Sequence, residues 1–457
     1  MQYFFLYHII IYAIILFENN QQKDVINMKK FSVILIGAGN RGTAYATHMK
    51  ELSEKFNIIG VAESIPARRN HIKNMFNIPD ENCFDSYEQI LALPKFADIA
   101  IIATMDHLHT APALMAIEKG YNLLLEKPVA QTPEECIQIA KAADEKGVSV
   151  LVCHVLRYTP FYKTIKQIIM EGLIGDVVSV IAVEAVGNIH QSHSYVRGDW
   201  HREDETTPML LAKCCHDLDI IQWLIGKKCK KVSSFGDLVY FRPENAPEGA
   251  PKYCYNTNCP AREKCCYDVT KVYLENETSW MRRAVGRGFA EGPLSTNDEI
   301  KKGLENTNFG ACVFHANNNV VDHQVVNMEF DGTVTAQLTM NAFNRGGRYI
   351  RIFGTAGELF AYANATEITV WKFGEKENIS YPIIKTEESI AGGHGGGDAG
   401  IVYELYDYLA GNYDGYCAAD INTSVKNHLI GFAAENARHN DTVENIKDYC
   451  KRFNFEY

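Results

Sequence analysis

Three closely spaced glycines near the start of the chain place the strongest constraint on its fold. The stretch FSVILIGAGNRGTAYATHM, residues 31–49, runs from a β-rich apolar segment through Gly37, Gly39 and Gly42 into a helical pattern. The first glycine permits a tight turn, the second lets the backbone approach a pyrophosphate, and the third permits close packing of helix and strand. Because a helix N-terminus attracts phosphate, we expect this turn to hold the phosphates of a dinucleotide.

Strands and helices alternate from this turn to about residue 154. Strands are expected at 31–36, 57–63, 97–104, 121–128 and 149–154, and helices at 67–76, 109–119 and 133–146. This alternation predicts a parallel, doubly wound sheet, and near-continuous apolar strands fit a sheet covered on both faces. Residues 28–153 are therefore predicted to form an α/β Rossmann domain that binds NAD or NADP.

The pattern changes after residue 154. A helix at 160–172 and a strand at 177–186 precede a polar, aromatic loop at 188–203, in which most side chains are expected to be exposed. Later segments at 320–330, 333–343, 349–362 and 368–373 alternate apolar and polar residues, as strands with one buried face do. We expect residues 154–457 to form an α+β C-terminal domain with a large, mostly antiparallel sheet.

The chain opens with an apolar segment, MQYFFLYHIIIYAIILF. It lacks the basic flank and cleavage site of a secretory signal, and it is shorter than the about 20 residues that span a membrane. We expect Met28 to be the natural start and residues 1–27 to lie outside the fold. A signal-anchor helix is the alternative.

Charge and cysteine usage narrow the class of protein. The net charge of −11, with no basic stripe, argues against a nucleic-acid partner. The thirteen cysteines do not have the even distribution of a disulfide framework, which is typical of proteins in a reducing compartment. We expect a cytoplasmic protein that does not bind a membrane.

Glu63 indicates which dinucleotide is bound. It ends the second strand about 20 residues after the glycine turn, where a carboxylate hydrogen-bonds a ribose 2′-hydroxyl and repels a 2′-phosphate. NAD is therefore favoured over NADP; the nearby Arg68 and Arg69 would weaken this preference but are expected to be solvated. The residues predicted to bind the cofactor are Gly37, Gly39, Asn40, Arg41, Gly42, Glu63, Thr104, His109, Glu126 and Lys127.

Lys127 is the first candidate catalytic residue. It follows an apolar strand in LLLEKPV, at the sheet edge where open α/β sheets bind ligands. Pro128 biases Lys127 towards an extended backbone, so that its side chain can be directed into the cleft. A lysine there can relay the proton that accompanies hydride transfer, although E-K-P alone is more often a plain turn.

Together these motifs resemble the glucose-fructose oxidoreductase / inositol dehydrogenase / MocA family. The resemblance rests on GAGNRG at 37–42, Glu63, EKPV at 126–129, a histidine on a helix ending in tryptophan, and RYIRIFGTAGEL at 348–359. It covers residues 30–440. It implies a nicotinamide cofactor, a sugar, cyclitol or related polyol as substrate, and a dimer or tetramer formed through the second-domain sheet.

The expected helix LLAKCCHDLDIIQWLIG, residues 210–226, carries the second candidate catalytic residues. The family pattern here is Asp-x-x-x-His; His216 matches the histidine, but Ala212 stands where the resemblance implies an acid. Lys213 is expected on the same helical face as His216. We expect His216 to exchange a proton with the substrate, because a histidine titrates near neutral pH, and Lys213 to assist it or to bind substrate. A histidine satisfied within the core is the alternative.

Other side chains are expected to form the substrate site. Aromatic faces pack on sugar rings and arginines donate to hydroxyls, while Asp219 is expected to orient the ring of His216. The segment GGHGGGD, residues 392–398, is expected to cover the cleft, with His394 near the substrate and Asp398 capping a helix. The predicted substrate-binding residues are Arg157, Tyr158, Trp200, Lys213 and Asp219.

The loop YCYNTNCPAREKCCYD, residues 253–268, is the candidate metal site. Cys254, Cys259 and Cys265, with Cys312 as a distant fourth ligand, have the chemistry of a structural zinc site. The spacing is not the usual paired C-x-x-C, and a set of free thiols is the alternative.

The sequence therefore predicts an NAD-dependent oxidoreductase. It would move a hydride between nicotinamide and a hydroxyl-bearing carbon of a sugar, cyclitol or glycoside, with Lys127 and His216 in proton transfer. One alternative is a glycosidase or lyase that oxidises the sugar ring transiently and recycles NAD. Another is a non-catalytic sensor of NAD or sugar, which would need no proton relay.

Overall fold

The computed structural model describes residues 29–276, 280–289, 295–383, 394–413, 415 and 417–457. The apolar segment 1–27, the expected start at Met28 and the first two residues of the 392–398 segment lie outside the described residues. Within the described part of the chain, no helix is long and apolar enough to span a membrane.

The first half forms a six-stranded parallel sheet. Strands β1 to β6 are Phe31–Ile36, Phe56–Ala62, Cys83–Phe84, Ile99–Ile102, Asn122–Leu125 and Val150–Val152. Their order is β3-β2-β1-β4-β5-β6, and every pair is parallel. This order reverses between β1 and β4, where doubly wound sheets bind dinucleotides. The predicted α/β architecture is confirmed.

Five helices cover this sheet. Helices α1 to α5 are Asn40–Glu51, Pro66–Phe76, Tyr87–Ala92, Thr110–Glu118 and Pro133–Lys146. Helix α5 begins where the sequence predicts, because the Thr132 hydroxyl accepts a hydrogen bond from the Glu135 N–H at 3.2 Å and Pro133 occupies the first turn. The sequence did not predict β3 and α3, which are too short to carry a periodic pattern.

The second half is built on a nine-stranded sheet. Strands β7 to β15 are Val177–Ala185, Cys229–Asp237, His323–Phe330, Thr335–Asn341, Gly347–Gly354, Gly357–Tyr362, Glu367–Lys372, Ile379–Pro382 and Glu444–Asn445. Their order is β14-β13-β12-β11-β7-β10-β9-β8-β15, and only the β7–β10 pair is parallel. The mostly antiparallel sheet is confirmed, but segment 349–362 is a hairpin of two strands rather than one.

The helices of the second half connect the two sheets. Helices α6 to α14 are Pro160–Met170, Asn188–Gln191, Met209–Ala212, Cys215–Ile225, Arg282–Val285, Asn297–Asn306, Gly397–Ala410, Ile421–Asn440 and Ile446–Lys451. Helix α12 packs on α1, and α13 packs on both α5 and β8. A single apolar core includes side chains of both sheets, so the dinucleotide edge of the first sheet is held against the second half.

Two expectations for the second half are wrong. The helix predicted at 210–226 is interrupted at Lys213 and Cys214, which separate α8 from α9. The loop at 188–203 is largely buried: α7 and a wide helical turn at Ser192–Arg197 occupy its first part, and residues 191–198 are all buried. Its buried polar side chains bond mainly to other parts of the protein, as His193 does to Tyr273 and Arg197 does to Ala311.

Candidate functional site

The glycine turn has the space that a pyrophosphate requires. Gly37 has φ +88°, and a Cβ there would lie 2.7 Å from the Ala103 carbonyl oxygen; a Cβ on Gly42 would lie 2.0 Å from the Gly37 oxygen. The middle glycine, Gly39, faces open space, since a Cβ added there would meet no atom nearer than 3.8 Å. Helix α1 begins directly after it and has no acidic residue in its first turn. Its N-terminus therefore presents free N–H groups to an anion.

Glu63 lies beside this turn. Its carboxylate accepts hydrogen bonds from the backbone N–H of Ala38 at 2.7 Å and of Ile65 at 2.9 Å. The residue is only 8% exposed. These two bonds fix the carboxylate at the end of β2, which is where a ribose hydroxyl would meet it.

The sequence predicted that the two arginines after Glu63 are solvated, but the structure gives both of them defined surroundings. Arg69 donates to the Glu63 carbonyl oxygen and pairs with Asp85 at 2.7 Å. Arg68 Nη1 lies 3.8 Å from the point that a Cβ added at Gly39 would occupy. Burial lowers the pKa of Arg68, the charge on Glu63 raises it, and the charge on Arg287 lowers it again. A positive charge therefore lies over the phosphate turn.

Arg41 and Glu126, both predicted to bind the cofactor, form an ion pair with each other. Arg41 Nε donates to Glu126 at 2.8 Å, and its two terminal nitrogens donate to Asp398 at 2.9 and 2.7 Å. The Tyr45 hydroxyl also donates to Glu126. Asp398, expected to cap a helix, lies inside α12 and completes this network instead, since Gly396 occupies the cap. The network holds α1, the end of β5 and α12 together.

Thr104 lies just after β4, and His109 directly precedes α4. His109 is buried, and its Nδ1 donates to the Pro128 carbonyl oxygen at 2.7 Å. Its Nε2 lies 3.2 Å from the Thr104 carbonyl oxygen. His109 therefore positions the two strand ends. Asn40 is exposed at the start of α1.

Lys127 reaches from the first half to the second. It directly follows β5 and Glu126, and its Nζ donates to the Ala212 carbonyl oxygen at 2.8 Å, at the end of α8. The Lys127–Pro128 peptide bond is cis. The ammonium group thus lies at the break between α8 and α9, one turn from His216.

His216 occupies a buried cluster of histidines. Its ring centroid is 6.0 Å from that of His154 and 6.2 Å from that of His394. Among the described residues, its Nδ1 has no hydrogen-bond partner. Burial, and then the charge on Lys127, hold the pKa of His216 well below its usual value, so the ring is neutral at physiological pH.

Lys213 joins a different group of charges. Its Nζ lies 3.6 Å from Glu184, and Arg348 binds both Glu184 at 2.5 Å and Asp217 at 2.8 Å. Burial lowers the pKa of Lys213, which the charge on Glu184 opposes. Because the helix is broken at Lys213, the shared helical face expected for Lys213 and His216 does not exist.

Arg157 and Asp219 form a buried ion pair. Arg157 Nε and Nη2 each donate to an oxygen of Asp219 at 2.7 Å. Asn427 donates to the same carboxylate. Both charged side chains are buried. Asp219 therefore binds Arg157, and not the ring of His216 as the sequence suggested.

Tyr158 and Trp200 also have defined surroundings. Tyr158 is buried against Gly400 of α12. Trp200 is half-buried, and its Nε1 donates to Asp106 at 3.2 Å. The Thr207 hydroxyl donates to the same oxygen at 2.7 Å. Asp106, which follows β4, thereby anchors the segment that leads into α8.

The candidate cysteines come together, but not as ligands of one ion. Cys254, Cys259, Cys265 and Cys312 line one small cavity, and all thirteen cysteines are free thiols. In the described part of the chain, the only three potential ligand atoms that all lie within 4.8 Å of one another belong to Glu203, Glu435 and His439. Arg438 already binds both of those carboxylates.

Sequence reasoning missed the residues that hold the site together. Tyr45 binds Glu126, and Arg348 binds Glu184, across long stretches of sequence. The motif at 348–359 includes Arg348, but its pattern gave no role to that side chain. His154 gave a weak signal as a polar residue two positions after the buried strand β6. A polar residue at the carboxyl end of a parallel strand is where functional groups gather.

Two family models match the chain. Residues 31–154 match the oxidoreductase family, NAD-binding Rossmann fold, and residues 166–420 match the C-terminal alpha/beta domain of the same oxidoreductase family. Both matches carry the family name that the sequence motifs suggested.

Curated relatives and solved structures agree with this assignment. The putative oxidoreductase YteT of Bacillus subtilis (strain 168) is 25% identical over 83% of this chain and 91% of its own length. The 2,7-anhydro-N-acetylneuraminate hydratase of Escherichia coli (strain K12) is 28% identical over 32% of this chain and 38% of its own length.

A solved structure of levoglucosan dehydrogenase in complex with NADH and L-sorbose has a TM-score of 0.66 at 17% identity. It covers 92% of this chain and 99% of that one, which shows the shared fold. The chain therefore belongs to the glucose-fructose oxidoreductase / inositol dehydrogenase / MocA family and is an oxidoreductase with an NAD-binding Rossmann fold.

Proposed function

We propose that this protein transfers a hydride between NAD and a hydroxyl-bearing carbon of a sugar, cyclitol or glycoside. The observation that carries the proposal is the placement of Lys127. It extends from the dinucleotide edge of the first sheet to the break between α8 and α9, beside the neutral, buried His216. This position supports a role for Lys127 in proton transfer, because it follows a strand of the NAD-binding sheet and contacts the second half of the chain.

The residues present fit a dinucleotide. Gly39 leaves room above the turn, α1 presents its N-terminus, and Arg68 supplies a positive charge nearby. Glu63, held by two backbone N–H groups, has its carboxylate fixed for a ribose hydroxyl. A bound nicotinamide supplies the hydride acceptor or donor. Because Glu63 would repel a 2′-phosphate, NAD is preferred to NADP in this proposal.

The proton chemistry follows from the protonation states. A neutral imidazole at His216 accepts the hydroxyl proton as the substrate carbon is oxidised and returns it in the reverse reaction. The Lys127 ammonium donates to the substrate oxygen and stabilises negative charge that develops on it. Lys213, paired with Glu184, binds substrate hydroxyls from the other side of the α8–α9 break.

The test is a substrate panel read by absorbance of NADH and by product analysis. Purified protein is mixed with NAD and with sugars, inositols and aryl glycosides. One substrate class should give stoichiometric NADH in the wild type. In Lys127→Met and His216→Gln, turnover should fall about 100-fold or more with NAD affinity retained. Lys141→Met and His323→Gln are the matched controls, since both residues are exposed or half-exposed away from the site. Full activity in both site variants would overturn the proposal.

A second candidate function has a specific observation in its favour. One relative is named a hydratase rather than a dehydrogenase, so a redox fold of this kind need not give net oxidation. In this alternative NAD takes a hydride from the sugar ring, a substituent is eliminated from the resulting ketone, water adds in its place, and the NADH formed in the first step returns the hydride. Glycoside cleavage without net NADH in the panel would select it. A sensor function would be selected if NAD binds without any chemistry across the panel and Lys127→Met leaves the ligand response unaltered.

The same proposal includes the cellular location and the oligomeric state of the protein. We expect a cytoplasmic homo-dimer or homo-tetramer that pairs through the nine-stranded sheet, with residues 28–153 and 154–457 as its two domains. Aromatic side chains stand exposed on the outer strands of that sheet, with Tyr362 52% and Trp371 50% exposed. Exposed apolar patches mark association surfaces. Light scattering coupled to gel filtration would give a monomer mass if this expectation is wrong.

A further inference from the structure

Trp280 is an exposed aromatic residue that the proposed proton transfer does not use. It is 53% exposed, although the residues that follow it are held in place. Met281 packs against the apolar cluster that contains Val285. Arg282 is 7% exposed and donates to the Tyr273 carbonyl oxygen at 2.6 Å. A large aromatic ring on a fixed backbone offers contact area at a small cost in conformational entropy.

Two histidines position the indole of Trp280. Its ring centroid lies 5.1 Å from that of His190, at an interplanar angle of 80°, and 5.3 Å from that of His193, at 87°. His193 is itself fixed, because its ring stacks on Phe309 at 5.1 Å and forms a hydrogen bond of 3.0 Å with the Tyr273 hydroxyl. Edge-to-face contacts of this kind are favourable for aromatic rings. With half of the residue exposed, they leave a broad surface of the indole open to solvent.

His190 links this indole to the candidate active site. Helix α7, which carries His190, begins shortly after β7 ends, and Glu184 near the end of β7 lies 3.6 Å from Lys213 Nζ. Burial lowers the pKa of His190, and the positive charge on Lys213 lowers it further. The half-buried ring of His190 therefore stands beside the charged residues at the α8–α9 break.

Exposure increases from His216 outwards. His216 is 5% exposed, and the side chain of His394, whose ring centroid is 6.2 Å from that of His216, is 41% exposed. Within the described residues, Trp280 makes ring contacts with His190 and His193 and none with His216. A sugar ring stacked on Trp280 is therefore a different ring from the one that would exchange a proton with His216.

A partly exposed ion pair near the indole can bind hydroxyl groups. Arg287 donates two hydrogen bonds to the Asp199 carboxylate, and the two side chains are 37% and 23% exposed. Burial lowers the pKa of His193, the charge on Asp199 opposes this shift, and the charge on Arg287 adds to it. Both charges therefore lie close to a ring that contacts Trp280. A carboxylate accepts hydrogen bonds from sugar hydroxyls and a guanidinium donates to them.

We propose that Trp280, with the pair of Asp199 and Arg287, forms a second sugar subsite for the ring next to the one that is oxidised. The indole packs on the apolar C–H face of this second ring, and the ion pair bonds its hydroxyls. The substrate is then a glycoside of at least two rings rather than a free monosaccharide. The inference rests on the proposed hydride transfer for which ring reacts, whereas binding at Trp280 requires no chemistry on NAD.

The test compares ligands that differ by one ring. Titration calorimetry is done with Lys127→Met saturated with NAD, so that binding is measured without turnover and a loss common to all ligands cancels in their ratio. One set of ligands is glucose, phenyl β-glucoside and cellobiose; the others are built in the same way on galactose, mannose and xylose. In at least one set, the added ring should tighten binding about tenfold. Adding Trp280→Ala should abolish this gain and leave the affinity for the free sugar unchanged.

Two further variants serve as controls. Trp280→Phe keeps a flat ring and should retain part of the gain. Met170→Ala removes another exposed apolar side chain, 62% exposed at the C-terminal end of α6, and should retain all of it.

Two results would overturn the subsite. One is an equal gain with and without Trp280→Ala, and the other is no gain from the added ring in any set. Should Trp280→Ala fail to fold, tryptophan fluorescence decides: a two-ring ligand should change the emission with Trp280 present and not in Trp280→Phe, and equal changes would count against the subsite. Ring-dependent binding without NADH from any substrate would refute the hydride transfer and leave the subsite standing.

Discussion

The buried pair of Arg157 and Asp219 gives the sharpest test of how the site is built. Asp219 lies on α9, three residues after His216, and receives two hydrogen bonds of 2.7 Å from Arg157. Both residues are almost fully enclosed, at 3% and 1% exposure. The pair therefore ties the helix that carries His216 to the turn that follows β6.

Asp219→Asn keeps the shape of the carboxylate but removes its charge. Arg157 would remain charged in a site closed to water, and breaking a buried pair by loss of one partner costs about 3–5 kcal/mol. Arg157→Met with Asp219→Leu removes both charges and leaves apolar groups of similar size. Such replacements are often neutral or stabilising, but this one leaves the buried Asn427 amide without its carboxylate partner. The double variant should therefore lose less stability than Asp219→Asn, about 2 kcal/mol at most.

The measurement is urea unfolding followed by tryptophan fluorescence. Trp223 is a local probe, since the Arg157 guanidinium lies 5.7 Å from its ring centroid. The sequence assigned both residues to substrate binding, and that role predicts the opposite result. A Michaelis constant that rises in Asp219→Asn while the free energy of unfolding changes by less than about 1 kcal/mol would refute the structural reading.

Three further predictions each concern the substitution of one residue. Gly42→Ala should weaken NAD binding by about tenfold, equal to about 1.4 kcal/mol, because its Cβ would meet the Gly37 oxygen at 2.0 Å; unchanged affinity by titration calorimetry would contradict this. Glu63→Gln should shift the NAD-to-NADP ratio of kcat/KM about tenfold towards NADP, and a constant ratio would remove Glu63 from cofactor selection. Burial lowers the pKa of His154 to about 4 and of His428 to about 3. The unfolded chain therefore binds more protons below about pH 6.5, and each histidine should cost about 2 kcal/mol of stability at pH 5. His154→Phe should flatten the fall of unfolding free energy between pH 7 and pH 5, and an equal slope in variant and wild type would be inconsistent with the buried neutral ring.

The first half of the fold was predictable because its signals are local. A strand, a glycine turn and a helix lie within residues 31–51, and the helix caps are set by neighbours such as Thr132 and Pro133. Strands such as β1 and β2, with six and seven residues, carry a recognisable pattern, whereas β3 has two residues and carries none. Periodicity therefore predicted the sheet but not all of its members.

The site itself was only partly predictable because its contacts are not local. Arg41 binds Asp398, which lies 357 positions later, and no spacing rule connects them. The apolar pattern continues across Lys213 and Cys214, so it gave no sign of the break that separates α8 from α9. Tertiary packing decided both features.

The grouping of the cysteines was only partly predictable from the sequence. Their chemistry suggested a metal site, and the structure does gather Cys254, Cys259, Cys265 and Cys312 around one cavity. Their irregular spacing in the sequence did not predict how the four side chains are arranged. The antiparallel bridge between Tyr253 and Ala311 brings Cys254 close to Cys312, and it joins segments that are distant in the sequence.

The most direct test of the proposed hydride transfer is a single-turnover experiment with the reactive substrate from the panel. Wild-type protein saturated with NAD is mixed with substrate in excess, and formation of bound NADH is followed by stopped-flow absorbance. We expect a rapid rise in the wild type, and a rise about 100-fold or more slower in Lys127→Met with NAD affinity unchanged. An equally fast rise in the variant would show that Lys127 takes no part in the chemical step, and no NADH rise and no product in either protein would contradict hydride transfer itself.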